Sequence, residues 1–262
     1  MVSSYPMTSI VKAELGSWEW LCETGGSLTA RQRFELLPGL LRTFGQFVGD
    51  RLWLALGRKR PLSFSVDDLW PVAPDSLICH RADEEARELQ SAPLVNHAYR
   101  TWVFGNALAM LDEARLDREV FHVGSLLHDA GIETCKEAQC FTYRSAGAVQ
   151  AVAREVAFDE ERTLQIMDGI ANHITPGLKK EDQSVGYYLQ AGAMADLMGL
   201  RAWELPSELL SRTEEHFPRL NVHREVSRRW LAESKAVPSG RAHYAQTWSG
   251  FAHIVRFLPL AK

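Results

Sequence analysis

Cysteine is scarce in this chain: four in 262 residues, at positions 22, 79, 135 and 140, with irregular spacing. That excludes a disulfide scaffold and fits the reduced thiols of a cytoplasmic enzyme. Charge of one sign is also lacking. With 29 basic and 33 acidic residues the formal charge is -4, so no global field favours nucleic acid or an anionic membrane, and a small-molecule partner is expected. Long hydrophobic runs are absent. The most membrane-like stretch, Leu37 to Gly57, is interrupted by Pro38, Arg42, Asp50 and Arg51, whereas a spanning helix needs about 20 mostly apolar residues. It reads as a buried helix pair. Met1 to Ile10 lack the basic patch, apolar core and small-residue cleavage site of a secretory signal, which again points to the cytoplasm. Internal repeats, low-complexity tracts and convincing period-two alternation are missing too, which argues against solenoids and sheets.

What remains is helical periodicity in a chain that is 46% hydrophobic and 24% charged, ordinary for a folded protein of one or two domains. Ser27 and Thr29 are candidate caps for a first amphipathic run in which Phe34, Leu37, Leu40, Leu41, Phe44, Phe47 and Val48 recur at helical spacing. Gly45 and Gly49 read equally as close-approach points for a neighbouring helix or as simple packing glycines. Arg58-Lys59-Arg60-Pro61, then Pro71 and Pro74, break the pattern and read as a solvated connection. We therefore divide the chain into an N-terminal helical extension, 1-78, and a main domain, 79-262. In the main domain helices are expected over Asp83–Gln90, Asn96–Asp112, Arg118–Ala130, Ser145–Val156, Glu160–Ile174, Ser184–Leu200, Ser207–His216, Val222–Ser234 and Ala242–Phe257. The expected class is all-α, a helical bundle. Phe44 to Leu56 offer a dimer face if they are not buried internally, so a homo-oligomer stays open.

The chemistry concentrates at Leu126-Leu127-His128-Asp129-Ala130-Gly131, where an apolar helix ends in a His-Asp pair and a small-residue turn. Neighbouring side chains on a helix diverge by about 100°, so His128 and Asp129 can converge only on something off one helical edge, such as a metal ion. Asn96-His97 opens the preceding helix. A turn within Asp112 to Asp117 would fold the two helices antiparallel and bring His97 toward His128. Two later residues could complete the site: His173, in Asn172-His173-Ile174-Thr175-Pro176-Gly177, and Asp196. The latter is a lone carboxylate in a helix with almost no other charge, costly to bury unless paired or metal-bound.

The order His97, His128-Asp129, Asp196 resembles the signature of the HD superfamily of metal-dependent hydrolases. The resemblance covers roughly residues 80 to 200 and, through Leu-Leu-His-Asp-Ala-Gly and Ala171 to Gly177, is most similar to the cyanamide hydratase-like HD proteins. It implies an HD-type helical bundle and a mononuclear site, commonly zinc, with iron, manganese and nickel also suited to such ligands. The implied ligands are His97, His128, Asp129 and Asp196, with His173 nearby. It also implies a metal-activated water acting on a small molecule of nitrile or amide type. Asp129 is then central to catalysis. His173 or Glu133 would return a proton, and Arg100, one turn beyond His97, would pair with a carboxylate ligand or meet an anionic substrate.

Three departures temper this. Ile132 stands where many HD phosphodiesterases carry lysine, which weakens a phosphate-handling reading. Thr142 stands where the hydratase relatives often carry an acid, which puts cyanamide itself in doubt. Only His173 is available between the HD pair and Asp196, which favours one metal over two. The rival enzyme reading is an HD phosphohydrolase that neutralises phosphate with Arg100, Lys136, Lys179 or Lys180. A rival of another class is a non-catalytic metal- or ligand-binding regulatory protein. Cys135 and Cys140 read as ordinary thiols. Ser125, His128 and Asp129 lie within one helical turn, without the elbow that presents a serine nucleophile. His122 lies too far along its helix to share an ion with Asp129. Tyr244, Trp248 and Phe251 read chiefly as core.

Overall fold

The computed structural model describes residues 13–60, 64–135, 139–182 and 184–257; residues 1 to 10, Pro61 and Lys136, all used above, lie outside them. Among the described residues the chain forms thirteen α-helices: α1 Trp18–Thr24, α2 Ala30–Ala55, α3 Val66–Leu69, α4 Leu77–Leu89, α5 Ala92–Leu111, α6 Arg118–Leu127, α7 Phe141–Glu155, α8 Glu160–Asn172, α9 Val185–Met198, α10 Ser207–His216, α11 Val222–Ala236, α12 Arg241–Ser249 and α13 Phe251–Phe257. No strand forms among these residues, in which Ser27 and Gly240 make an isolated bridge. No described helix is long and apolar enough to cross a membrane.

Several boundaries differ from expectation for local reasons. The stretch read as a helix pair is one helix, α2. Thr29 starts it with a reciprocal capping box to Gln32, which satisfies two otherwise orphaned donors, and Pro38 is accommodated inside it. Ser27 is no cap; its hydroxyl meets that of Ser239. The helix expected over Ala242–Phe257 is two, because Gly250 adopts φ +65 between α12 and α13, a left-handed backbone that glycine takes at little cost. α6 ends at Leu127, before the His-Asp pair.

The centre of the fold is the antiparallel pair α5 and α9. A Cβ on Gly192 would lie 2.3 Å from the Thr101 carbonyl oxygen, so this glycine lets the two backbones come unusually close. α6, α8, α4 and α7 pack around the pair in one apolar core that includes Phe104, Leu108, Phe121, Ile166 and Leu189. A second core joins Trp20, Leu36, Leu40 and Phe47 of α1 and α2 to Val226, Trp230, Phe251 and Val255 of α11 and α13. Residues 13–57 thus share their buried face with the C-terminal helices. Close approach in α2 occurs at Gly39, whose Cβ would sit 2.4 Å from the Pro176 carbonyl oxygen, while Gly45 and Gly49 have nothing within 4 Å. This contact lays α2 over the turn that follows α8.

Candidate metal centre

The expected turn between α5 and α6 forms, with Asp117 capping α6 through its side chain. His97 near the start of α5 therefore meets His128 just beyond the end of α6, with ring centroids 5.4 Å apart. Asp129 leaves the helix at φ -108, ψ 5, in the bridge region of backbone space, and this lets two consecutive side chains face one point. Gly131 is required next. Its Cβ would fall 2.2 Å from the Phe141 carbonyl oxygen, while its N–H is accepted by the Ser145 hydroxyl at 2.9 Å. Buried Glu233 accepts from the Phe141 N–H at 2.7 Å and from Arg144 at 2.7 Å, and Arg144 donates to the Gly131 carbonyl at 3.0 Å. The turn carrying the His-Asp pair is thereby tied to the start of α7.

His97, His128 and Asp129 form a buried group that could hold a metal ion. Each imidazole is oriented through its other nitrogen. His128 Nδ1–H donates to the Ser125 carbonyl at 2.7 Å and His173 Nδ1–H to the Ile170 carbonyl at 2.7 Å; a carbonyl only accepts, so the proton is on Nδ1 in both rings. His97 Nδ1 meets the Asp196 carboxylate at 2.7 Å. The three Nε2 atoms are the ones that surround Asp129. His128 Nε2 lies 3.5 Å and His97 Nε2 3.8 Å from Asp129 Oδ2, and His173 Nε2 lies 3.7 Å from Oδ1. His97 Nε2 and His128 Nε2 are buried without a hydrogen-bond partner. Two ligands about 2.1 Å from a zinc ion at a tetrahedral angle stand roughly 3.4 Å apart, so the spacing suits a cation and is long for direct hydrogen bonds. Nitrogen and carboxylate donors suit zinc and other first-row divalent metals alike.

Electrostatics reinforce the geometry. Burial pushes the His128 imidazole down to about 4 despite the opposing effect of Asp129. Burial disfavours the Asp129 carboxylate, yet His128, His173 and His97 outweigh it and hold the group well below the usual carboxylate range. A neutral His128 and an ionised Asp129 are the states a metal requires of them.

Asp196 does not join this ligand cluster. One of its oxygens meets His97 Nδ1, and Arg100 donates to both oxygens, from Nε at 2.7 Å and from a terminal nitrogen at 3.0 Å. Arg219 adds a further contact at 3.2 Å. The carboxylate is thus spent behind the His97 ring, held ionised against burial by Arg100 and His97. Arg100 pairs with a carboxylate, as expected for a supporting role, and also donates to the Phe217 carbonyl; it does not line the cavity. Glu133, expected as a proton donor, is not at the site either. It accepts from the Ser91 N–H at 2.8 Å and pairs with Arg229, which ties the start of α5 to α11.

Above the group lies a cavity of about 80 Å³ lined by His97, His128, Asp129 and His173 and otherwise mainly by apolar side chains of α2, α9, α11 and α13. Trp230 and Phe251, with ring centroids 4.2 Å apart, form one wall; Tyr244 is core and Trp248 is exposed. His122 sits elsewhere, edge-on to Trp102. Sequence reasoning missed Arg241. Fully buried, it donates to the Ala171 carbonyl at 2.6 Å and to the Thr175 hydroxyl at 2.7 Å, fixing the end of α8 from which His173 projects. Only its position at a helix start was visible beforehand. Gln190 was also missed; its amide nitrogen donates to the carbonyls of His173 and Thr175. A scan of protein-family models returns no match for the chain, and no curated protein is significantly similar to it.

Proposed function

We propose that the protein is a metal-dependent hydrolase or hydratase of HD type, acting on a small uncharged molecule through water activated at the His97, His128 and Asp129 group. One observation carries the reading: the Nε2 atoms of His97, His128 and His173 converge on the Asp129 carboxylate, and those of His97 and His128 are buried without a hydrogen-bond partner. When bound, a divalent metal supplies the positive charge that makes water a nucleophile near neutral pH and polarises an electrophilic carbon. His97, His128 and Asp129 would hold it. Asp196 keeps His97 in the tautomer that presents Nε2, as a carboxylate behind a ligating histidine does, and the Ser125 carbonyl does the same for His128. His173, at the cavity wall, would take a proton at Nε2 from the attacking water and return it to the leaving or newly formed nitrogen. The ordered His97, His128-Asp129, Asp196 resemblance supports this reading, with the difference that Asp196 acts through His97.

The phosphohydrolase alternative has less support. Among the described residues no lysine or arginine lines the cavity, Arg100 is spent on Asp196, and Lys179 and Lys180 line a different surface cleft with Arg42; Lys136 lies outside the described residues. The test begins with elemental analysis of the purified chain and of His97→Ala. About one equivalent of zinc or iron per chain, lost in the variant, is expected. His173→Ala should keep the metal and lose turnover of a nitrile and amide panel. Absence of metal after reconstitution defeats the reading. A loaded protein silent on every substrate would make it a binding protein, and release of phosphate from nucleotides would transfer it to the alternative.

A further inference from the structure

The cavity above the candidate centre differs from an ordinary polar active site in what its polar residues are doing. Besides the three histidines and Asp129, its polar lining is Thr43, Gln190 and Ser249. Each spends its donor on the protein. The Thr43 hydroxyl donates to the Gly39 carbonyl at 3.0 Å, the Ser249 hydroxyl to the Ala245 carbonyl at 2.7 Å, and the Gln190 amide to two carbonyls at 2.7 and 3.0 Å. The remaining described wall is hydrocarbon, thioether or aromatic surface, with Leu40, Met194, Leu197, Val226, Trp230 and Ile254 among its contributors; the Trp230 indole N–H, buried without a hydrogen-bond partner, is the further donor among them. A ligand therefore finds charged groups at one end, the histidine and carboxylate floor, and, the Trp230 indole N–H apart, mainly apolar contact elsewhere.

From this distribution we infer that the substrate is an uncharged molecule with a hydrocarbon body and a single small polar group, seated with that group on the His128 and Asp129 floor and the hydrocarbon against α2, α9 and α11. The inference rests on the metal-centre reading for the fate of the polar group, and on the lining alone for the body. A phosphate, carboxylate or ammonium along the body would be stripped of water with no partner to replace it, a penalty of several kcal/mol. Each methylene that enters the cavity is favoured by about 0.8 kcal/mol. The volume of about 80 Å³ accepts roughly five to eight water-sized positions, so the body is short. Phe44, half-exposed on α2 and part of the lining, stands at the entrance.

The probe is a series of straight-chain primary carboxamides, propanamide to octanamide, titrated calorimetrically onto the full-length chain. Affinity should rise about fourfold per methylene and level off once the body fills the cavity. Alkyl phosphates and alkylammonium ions of matched length should bind at least tenfold more weakly. Ala245→Trp, a substitution at a partly exposed lining position, should move the levelling-off to a shorter chain while metal content and helicity stay as in the parent. Phe44→Ser, at the half-exposed entrance, should lower the increment for the longest members only. A flat series, or alkyl phosphates binding as well as the amides, overturns the inference. Its failure is distinct from failure of the metal reading: a chain without metal would still show the methylene increment, whereas a metal-loaded chain with a flat series would retain the centre and lose this substrate class.

Discussion

The cluster around Arg201 and the cluster around Asp129 both bury several charged or titratable groups, and they resolve that burden differently. Arg201 donates to both oxygens of Asp112 and both oxygens of Glu204, and to the Tyr187 hydroxyl. Asp50 accepts from the Arg201 backbone N–H and the Trp203 indole, and Arg60 closes the set on Glu204 at 2.6 Å. Every guanidinium nitrogen of Arg201 has a partner. At Asp129 the opposite holds: the rings are fixed by their Nδ1 atoms, while the Nε2 atoms of His97 and His128 are unpartnered. The first cluster is complete as protein, and the second is a group that could hold a metal ion. An orphan atom by itself does not make a site. Buried His122 Nδ1 is also unpartnered, but it stands against Trp102 without a second donor beside it, so convergence is the telling feature.

The sharpest way to break this comparison is to remove the shared carboxylate. Asp129→Ala should abolish metal binding and turnover together while circular dichroism still reports a helical fold; full metal content in the variant would remove Asp129 from the ligand set. Arg201→Met should do the reverse. Leaving Asp112 and Glu204 buried without their main partner should cost about 3–5 kcal/mol in urea unfolding, with metal stoichiometry unchanged.

His122 gives a smaller effect with a defined sign. Burial lowers it from 6.5 to about 4, so the unfolded chain binds the proton first. The stability associated with neutral His122 is present above pH 6.5 and is lost as pH falls toward 4. Between pH 6.5 and 5 the loss is about 2 kcal/mol, and His122→Phe should flatten that part of the stability profile; an unaltered slope would assign it to other groups. Asp196→Asn should weaken metal affinity about 10- to 100-fold in a chelator competition. Complete loss of metal would instead make Asp196 a ligand.

Much of the helical order was legible because it rests on local signals. The all-α class, the antiparallel α5 and α6, and the unchanged bounds of α10, Ser207–His216, follow from periodicity and caps. The division of α12 from α13 was not legible, since Gly250 reads as tolerable within a helix until its φ is seen. At the site, His128 and Asp129 announced themselves as adjacent polar residues ending an apolar helix, and Arg100 as support for a carboxylate. Glu133 misled because nearness in sequence to the pair carries no direction; Arg229 and the Ser91 N–H draw it away. Arg241 and Glu233 were invisible because their partners lie 66 to 99 residues away in the chain.

By itself the sequence determined that the chain is helical, that no described segment is apolar and long enough to span a bilayer, and that His97, His128 and Asp129 are the residues to watch. Only the tertiary structure decided which nitrogen of each histidine faces Asp129, that Asp196 stands behind His97, and that α2 with the C-terminal helices walls the cavity in mainly apolar side chains. The physical reason is that periodicity and capping act over three or four residues, whereas a tautomer or a cavity wall depends on groups brought together from across the fold, such as Asp196 on His97 across 99 positions.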